Sequence, residues 1–292
     1  MKLLNVGPVE WFSPHFVYPH EDVVTENYDP IKQRISLIEY CRKSTPDLLW
    51  VFRGDLVRYD LHKLEGILQV EFSSEIYPDY LTSRSAGQII AFRKFFHCMR
   101  EISPNQNLIH YDVSRKNFLE CIGVSSSYQQ LPVNITEFSD ELRDIDVLFF
   151  GRASIRRSQI FNPLKEKRGF RFVWIENGLE WSELAKFISR SRVVVNLSAD
   201  GIDNFEPRIL LALAGGAKVV TERSAGLLMW LDNKPIYKSM IYFSEPNSSS
   251  FLESIAIALG DADSTKEKIS IIQGDLSSAS KLKEVLKDIS RI

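Results

Sequence analysis

The residues of this chain that could do chemistry gather in one stretch, 144–222. An apolar run, Ile145-Asp146-Val147-Leu148-Phe149-Phe150, leads straight into Gly151-Arg152, and Arg156-Arg157 follow at what reads as a helix start. A second run, Val193-Val194-Val195, ends at Asn196-Leu197 and precedes Asn204-Phe205-Glu206-Pro207-Arg208. A third, Lys218-Val219-Val220-Thr221, ends at Glu222. Glycine at a strand end lets backbone come close to a ligand. Arginine brings planar, permanently charged donors, and a helix N-terminus offers unfilled N–H groups. Together these are the parts of a diphosphate site. A helix start repels cations through its dipole, so arginines placed there predict an anion that offsets them. Pro207 suits a first helical turn because no partner awaits its missing N–H. That geometry gives Glu206 hydroxyl groups to hold, while Arg208 balances its charge or reaches a phosphate; the alternative is a surface ion pair worth little. Asn196 reads either as a satisfied core amide or as a ligand contact, and Glu222 either as a site residue or as an exposed strand terminus. Gly215-Gly216 reads as a tight helix end.

All five histidines, His15, His20, His62, His97 and His110, lie in the first half. His97 falls on an apolar helix and His110 in a strand, so both read as core. Glu10, His15 and His20 sit with Trp11, Phe12, Phe16 and Tyr18 in an aromatic loop behind the first strand, which Gly7-Pro8 closes. A general base must reach the hydroxyl it activates, and a Glu or His on such a loop can do so. Glu10 and His15 are therefore the candidate catalytic residues, with Gly7 a further candidate contact. No HExxH, GxSxG or GxxxxGK[ST] pattern occurs, which argues against zinc proteases, serine hydrolases and P-loop enzymes.

The elements that would position these residues alternate. Strands are expected at 3–6, 47–53, 67–72, 108–111 and 129–133, with helices at 31–42, 61–64, 84–102 and 115–122. Residues 9–29 read as irregular. After a polar hinge at 136–143, strands are expected at 145–150, 170–175, 193–197, 218–221 and 240–243, with helices at 156–167, 181–190, 206–214, 224–231 and 249–259. Strands alternating with helices at this spacing mean βαβ units and parallel sheets. The expectation is an α/β protein of two Rossmann-like domains facing a cleft: 1–140, 141–275, and a C-terminal helix at 276–292 packing back toward the first domain. Open parallel sheets bind at their carboxyl edge.

The bulk numbers agree. A length of 292 residues suits two domains, and 44% hydrophobic with 25% charged content is that of a globular protein. A net charge of −2 supplies no field for nucleic acid or an anionic membrane. The three cysteines, Cys41, Cys98 and Cys121, form no metal-ligand spacing and favour a reducing compartment. No early apolar run is long enough for a secretory signal, and none approaches the ~20 residues of a membrane span. A cytoplasmic location without a transmembrane segment is expected.

At "DIDVLFFGR…RR", "VVVNLS" and "FEPRILLALAGGAKVVTE" the chain resembles nucleotide-sugar glycosyltransferases of the GT-B type, above all glycosyltransferase group 1 and its CgeB-like branch. "LIHYDVSRKNFLECIGVSSSYQQLPVNI" is similar to the end of that family's N-terminal domain, and the likeness runs over about 105–260. The resemblance implies that Gly151, Arg152 and Arg157 meet a donor diphosphate and that residues 204–206 stand near the sugar and phosphates. Where many retaining members carry two glutamates eight positions apart, this chain has Asp203 and Leu211; Glu222 and Glu206 are the remaining candidates for ribose. It further implies transfer of a sugar to an acceptor hydroxyl without a metal, with no cofactor beyond the nucleotide-diphosphate sugar itself. The acceptor, whether glycan, lipid-linked or small molecule, is unspecified. Two alternatives share the fold: a GT-B-like binding protein without catalysis, and a nucleotide-sugar 2-epimerase.

Overall fold

The structure is a computed structural model that describes residues 1–73, 106–121, 124–167, 169–199, 201, 205–262 and 264–290. The chain forms two units, Met1–Pro132 with Lys281–Ile292, and Val133–Ser280.

Among the described residues, the first unit's sheet comprises β1 (Lys2–Val6), β2 (Val24–Tyr28), β3 (Leu48–Phe52), β4 (Leu68–Ser73), β5 (Gln106–His110) and β6 (Ser127–Tyr128). They run parallel in the order β2-β1-β3-β4-β5-β6. Every residue of β3, Leu-Leu-Trp-Val-Phe, is buried, as a central parallel strand covered on both faces requires. Helix Leu37–Ser44, capped by Ser36, lays Leu37 and Cys41 against Leu4, Val6, Leu49 and Val51.

The second unit's sheet comprises β7 (Ile145–Phe150), β8 (Phe172–Ile175), β9 (Ser191–Asn196), β10 (Lys218–Thr221) and β11 (Ile241–Phe243), parallel in the order β11-β10-β9-β7-β8. One face packs Val147, Phe149, Val193, Val195 and Val220 against Phe161 and Leu164 of helix Ile155–Lys165 and Phe251 and Ile255 of helix Ser248–Gly260. Fully burying such a side chain contributes about 1.5–3 kcal/mol, so this layer fixes where each strand ends.

In both units the chain steps to one side of its first strand and then crosses to the other. The crevice at the carboxyl ends of the first and third strands, β1/β3 or β7/β9, is the switch point at which such sheets bind ligands.

Several local expectations need correction. β2 lies in the stretch read as irregular; it is a polar edge strand with no apolar period, and its order comes from pairing with β1. The helix expected over 31–42 starts only at Leu37, because the Asp29 carboxylate accepts from the amides of Ile31 (2.9 Å) and Lys32 (3.2 Å) and holds a turn. The last strand of the first unit is Ser127–Tyr128 rather than 129–133, and the short helix is Arg58–Leu61. The helix expected over 84–102 lies outside the described residues. The C-terminal stretch holds two helices, Lys266–Leu276 and Ser278–Ile289. Val133 enters the break between them, donating to Leu276 O at 2.8 Å and accepting from Ser278 N at 2.9 Å. The polar stretch 136–143 is held to the second unit by Phe138 on Trp181 and by Arg143 donating to Gly215 O at 3.0 Å. Among the described residues no helix is long and apolar enough to cross a membrane.

Candidate functional site

Strand β7 delivers Gly151 to the β7/β9 switch point with φ +146°, a conformation open to glycine and strained for other residues. Its N–H donates to Ile175 O (2.9 Å), and its carbonyl accepts from Trp174 Nε1 (3.0 Å). A Cβ there would stand 2.9 Å from Arg208 Nη2. Three residues on, Ser154 caps helix Ile155–Lys165 by accepting from Arg157 N (3.2 Å) and donating to Ala199 O (2.8 Å). The amides of Ile155 and Arg156 take no partner among the described residues, so they remain as anion donors at the positive end of the helix dipole.

The arginines divide by task. Arg157 is 5% exposed; its Nε donates to Leu197 O and its Nη1 to Arg152 O, both at 2.9 Å, with the guanidinium 5.1 Å from the Phe149 ring centroid. It ties the end of β9 to the loop after β7. Arg156 pairs with Glu222 (2.5 Å) and donates to Ser198 O (2.9 Å). The cation at this helix start is therefore offset by Glu222, an anion of the protein's own. Arg208 stands over the rings of Phe149 and Phe150, donates from Nε to Phe150 O (2.7 Å) and from Nη1 to Asn196 Oδ1, and has no partner on Nη2 among the described residues. Burial lowers its pKa, and the Glu206 charge offsets only part of that shift. Arg152 is exposed, and its side chain takes no partner among the described residues.

Asn196 is buried and joined to its neighbours: its amide donates to Thr221 Oγ1 (2.9 Å) while its oxygen orients Arg208. Glu222 also accepts from Ser198 N (2.7 Å), so both its oxygens are engaged within the protein. Glu206 is half-buried and its carboxylate takes no hydrogen bond or ion pair among the described residues. Arg152, Arg208, Glu206 and the two helix amides are thus the groups with capacity to spare: donors for an anion, and one carboxylate for hydroxyls.

The remaining candidates belong to the first unit. Gly7 closes β1 with φ +153°, donating to Tyr28 O (3.0 Å); a Cβ would stand 2.9 Å from the Phe52 carbonyl. Glu10 lies exposed in the first turn of helix Val9–Phe12. His15 is 5% exposed, with Nδ1 2.7 Å from Pro132 O, and burial pulls its pKa down to about 4. It is a neutral imidazole, with Nδ1–H donating to Pro132 and the lone pair on Nε2.

Two contributors were not singled out from sequence, and the role of a third, Arg156, differs from the expected one. Ser154 and Ser198 carry the hydrogen bonds that place Arg157 and Arg156, and Arg156 itself holds Glu222. Ser154 had a readable signal, an N-cap residue directly before a helix. Ser198 had none.

No protein-family model matches the chain, and no curated protein matches it significantly. Solved structures do. Sucrose-phosphate synthase from Thermosynechococcus elongatus superposes with a TM-score of 0.58 at 12% identity, covering 100% of both chains. UDP-GlcNAc 2-epimerase from Neisseria meningitidis, bound to UDP-GlcNAc, gives 0.53 at 11% identity, covering 98% of this chain and 100% of that one. The fold is the two-domain, Rossmann-like GT-B fold.

Proposed function

We propose that the second unit binds the diphosphate of a nucleotide sugar at the β7/β9 switch point, and that the protein is a metal-independent glycosyltransferase of the group 1 type, CgeB-like branch, carrying that sugar to an acceptor hydroxyl. The observation that carries this reading is Arg208 Nη2, held beside the bare Cα of Gly151 with no partner among the described residues while Nε and Nη1 are fixed. Its orientation is set before any ligand arrives, which is what preorganised charge stabilisation needs.

When the bond from the anomeric carbon to the diphosphate breaks, negative charge grows on the leaving oxygen. Arg208, Arg152 and the amides of Ile155 and Arg156 meet that charge; Arg156 and Arg157 shape the loop through Glu222, Leu197 and Arg152. Glu206, the carboxylate with spare capacity, holds sugar or ribose hydroxyls and stays clear of phosphate. For proton acceptance from a hydroxyl, Glu10 is exposed and reachable, whereas His15 is buried with its Nδ1 bound to Pro132 O.

Calorimetry with UDP, GDP and ADP tests the site: one should bind to the native chain and lose affinity in Arg208→Ala. No binding of any nucleoside diphosphate would remove the reading. Incubation with the matching nucleotide sugar then fixes the reaction. Transfer or slow hydrolysis that persists in EDTA supports the metal-independent transferase. Conversion to the C2 epimer without acceptor supports the second reading, a 2-epimerase, which the likeness to the Neisseria enzyme favours. Binding with neither outcome supports a non-catalytic nucleotide-sugar binder.

A further inference from the structure

Between the end of β2 and the segment after β3, the first unit holds a cavity of about 420 Å³, within the range of small-molecule sites. Tyr28 and Pro30 line it from the β2 side, and Leu56, Val57 and Tyr59 from the segment after β3. Tyr28 and Val57 are buried, whereas Leu56 is 44% and Tyr59 72% exposed, so part of this apolar lining stands open to water. The exposed His62 completes the lining together with three charged groups.

Those charged groups differ in what they have left to give. The Asp55 carboxylate accepts from Arg53 Nε (2.8 Å) and Nη2 (2.9 Å). The Arg58 guanidinium donates to both oxygens of Glu71. Asp60 stands apart: Oδ2 accepts from Leu37 N at 2.8 Å, while Oδ1 takes no partner among the described residues. Lys63, three residues on, is turned to Tyr59 instead, donating to its hydroxyl at 2.5 Å with Nζ 3.8 Å from the ring centroid. The Asp60 charge is felt by its neighbours, since burial and then that charge push the Tyr28 hydroxyl's pKa up.

A carboxylate with a spare oxygen, set among tyrosine rings and aliphatic groups, selects its ligand by charge. An anion is repelled by Asp60. A sugar needs several polar partners for its hydroxyls, and the other charged groups of the lining are already paired. A protonated amine on an apolar body suits both halves of the cavity. Its N–H donates to Asp60 Oδ1 in a charge-assisted bond, and its body covers Leu56 and the tyrosine rings.

We propose that this cavity binds a small organic cation, a primary amine carried on an aromatic or aliphatic body, with Asp60 as its counter-ion. This goes beyond the nucleotide-diphosphate reading of the second unit and stands without it.

Saturation-transfer NMR on the full chain, without nucleotide, tests it with probes that share one phenol body and differ in charge: tyramine, para-ethylphenol and para-hydroxyphenylacetate, each at millimolar concentration and neutral pH. Tyramine should bind best and the acetate worst. Asp60→Asn keeps an oxygen for Leu37 N and removes the charge. It should weaken tyramine binding by about three- to tenfold, the loss of one half-exposed charge-assisted bond, and leave para-ethylphenol unchanged. Leu56→Ala, at an exposed position, should weaken both. The ranking of the probes on the native protein needs no variant, so the proposal stays testable if Asp60→Asn does not fold. No transfer to tyramine, the same transfer to all the probes, or unaltered tyramine binding in folded Asp60→Asn would overturn the proposal.

Discussion

The two units share a strand order and differ in what fills the switch point. In both, the first strand ends in a glycine at positive φ, Gly7 or Gly151. In the first unit the ring of Phe52, at the end of β3, is stacked between Phe12 and Phe72, each with centroids 5.2 Å away, and Phe16 and His15 close the sides. The residue after Phe52, Arg53, is bound to Asp55 two residues on, at 2.8 Å. In the second unit the same place holds Arg208 and Arg157 against the Phe149 ring, and polar Asn196 ends the facing strand. The topology makes a crevice twice; the side chains plug one with aromatic surface and line the other with guanidinium groups. A switch point is thus a location for a ligand, and the residue types at the third strand's end decide whether it stays open to one.

The contrast can be broken in order of expected effect. The first unit also rests on a buried pair, Arg58 to Glu71 at 2.8 and 2.9 Å, on β4 and the segment after β3. Glu71→Ala strands a buried charge, so it should destabilise the first unit by about 3–5 kcal/mol. Urea unfolding measures this, and UDP binding in the second unit should survive wherever the variant is folded.

Next comes pH. Below about 6.5 an unfolded His15 binds a proton, whereas the folded one, with its pKa down to about 4, does not. The unfolded state therefore gains protons as pH falls through that window, and stability drops progressively between pH 6.5 and 4. The full loss is roughly 3 kcal/mol, from about 1.4 kcal/mol per pH unit. His15→Gln should remove this slope in urea melts run at several pH values; an unchanged slope would place the acid sensitivity elsewhere.

Arg208→Ala should weaken nucleoside-diphosphate binding by about 1.5–3 kcal/mol, the range for hydrogen bonds to charged groups, and Arg152→Ala by about 1 kcal/mol or less because that group is exposed. Arg157→Ala should lower the second unit's melting temperature as well as affinity, since it removes the bond to Leu197 O. Equal affinity in all three variants would empty the second switch point of its assigned role.

The smallest test compares the two glycines. An added methyl meets a fixed backbone carbonyl at Gly7 but the end of a side chain at Gly151. Gly7→Ala should cost stability, about 1–3 kcal/mol with the backbone strain included. Gly151→Ala should cost less stability in proportion and more affinity, because Arg208 must turn away. Calorimetry and thermal melts on both variants separate the two cases.

Much of this was legible from the chain itself. The uninterrupted apolar run at Leu48–Phe52 and the run at 145–150, broken only by Asp146, announce buried parallel strands, and glycine at the end of a strand with arginine behind it announces the edge where an anion fits. Local sequence also gives Ser154 as a helix cap. What it cannot give is who meets whom. Arg156 and Glu222 are 66 residues apart, and Arg208 and Asn196 twelve. The inference that arginines at a helix start await a ligand is incomplete for the partners, because Glu222 arrives from another strand to offset Arg156 and Asn196 turns Arg208 toward Gly151. β2 escaped for the same reason, being ordered by its neighbour and not by its own pattern. Element type follows from local propensity and apolar period, which act over a few residues. The assignment of each charge to a brace or to a ligand follows from long-range pairing, and only the folded sheet brings those groups within hydrogen-bond distance.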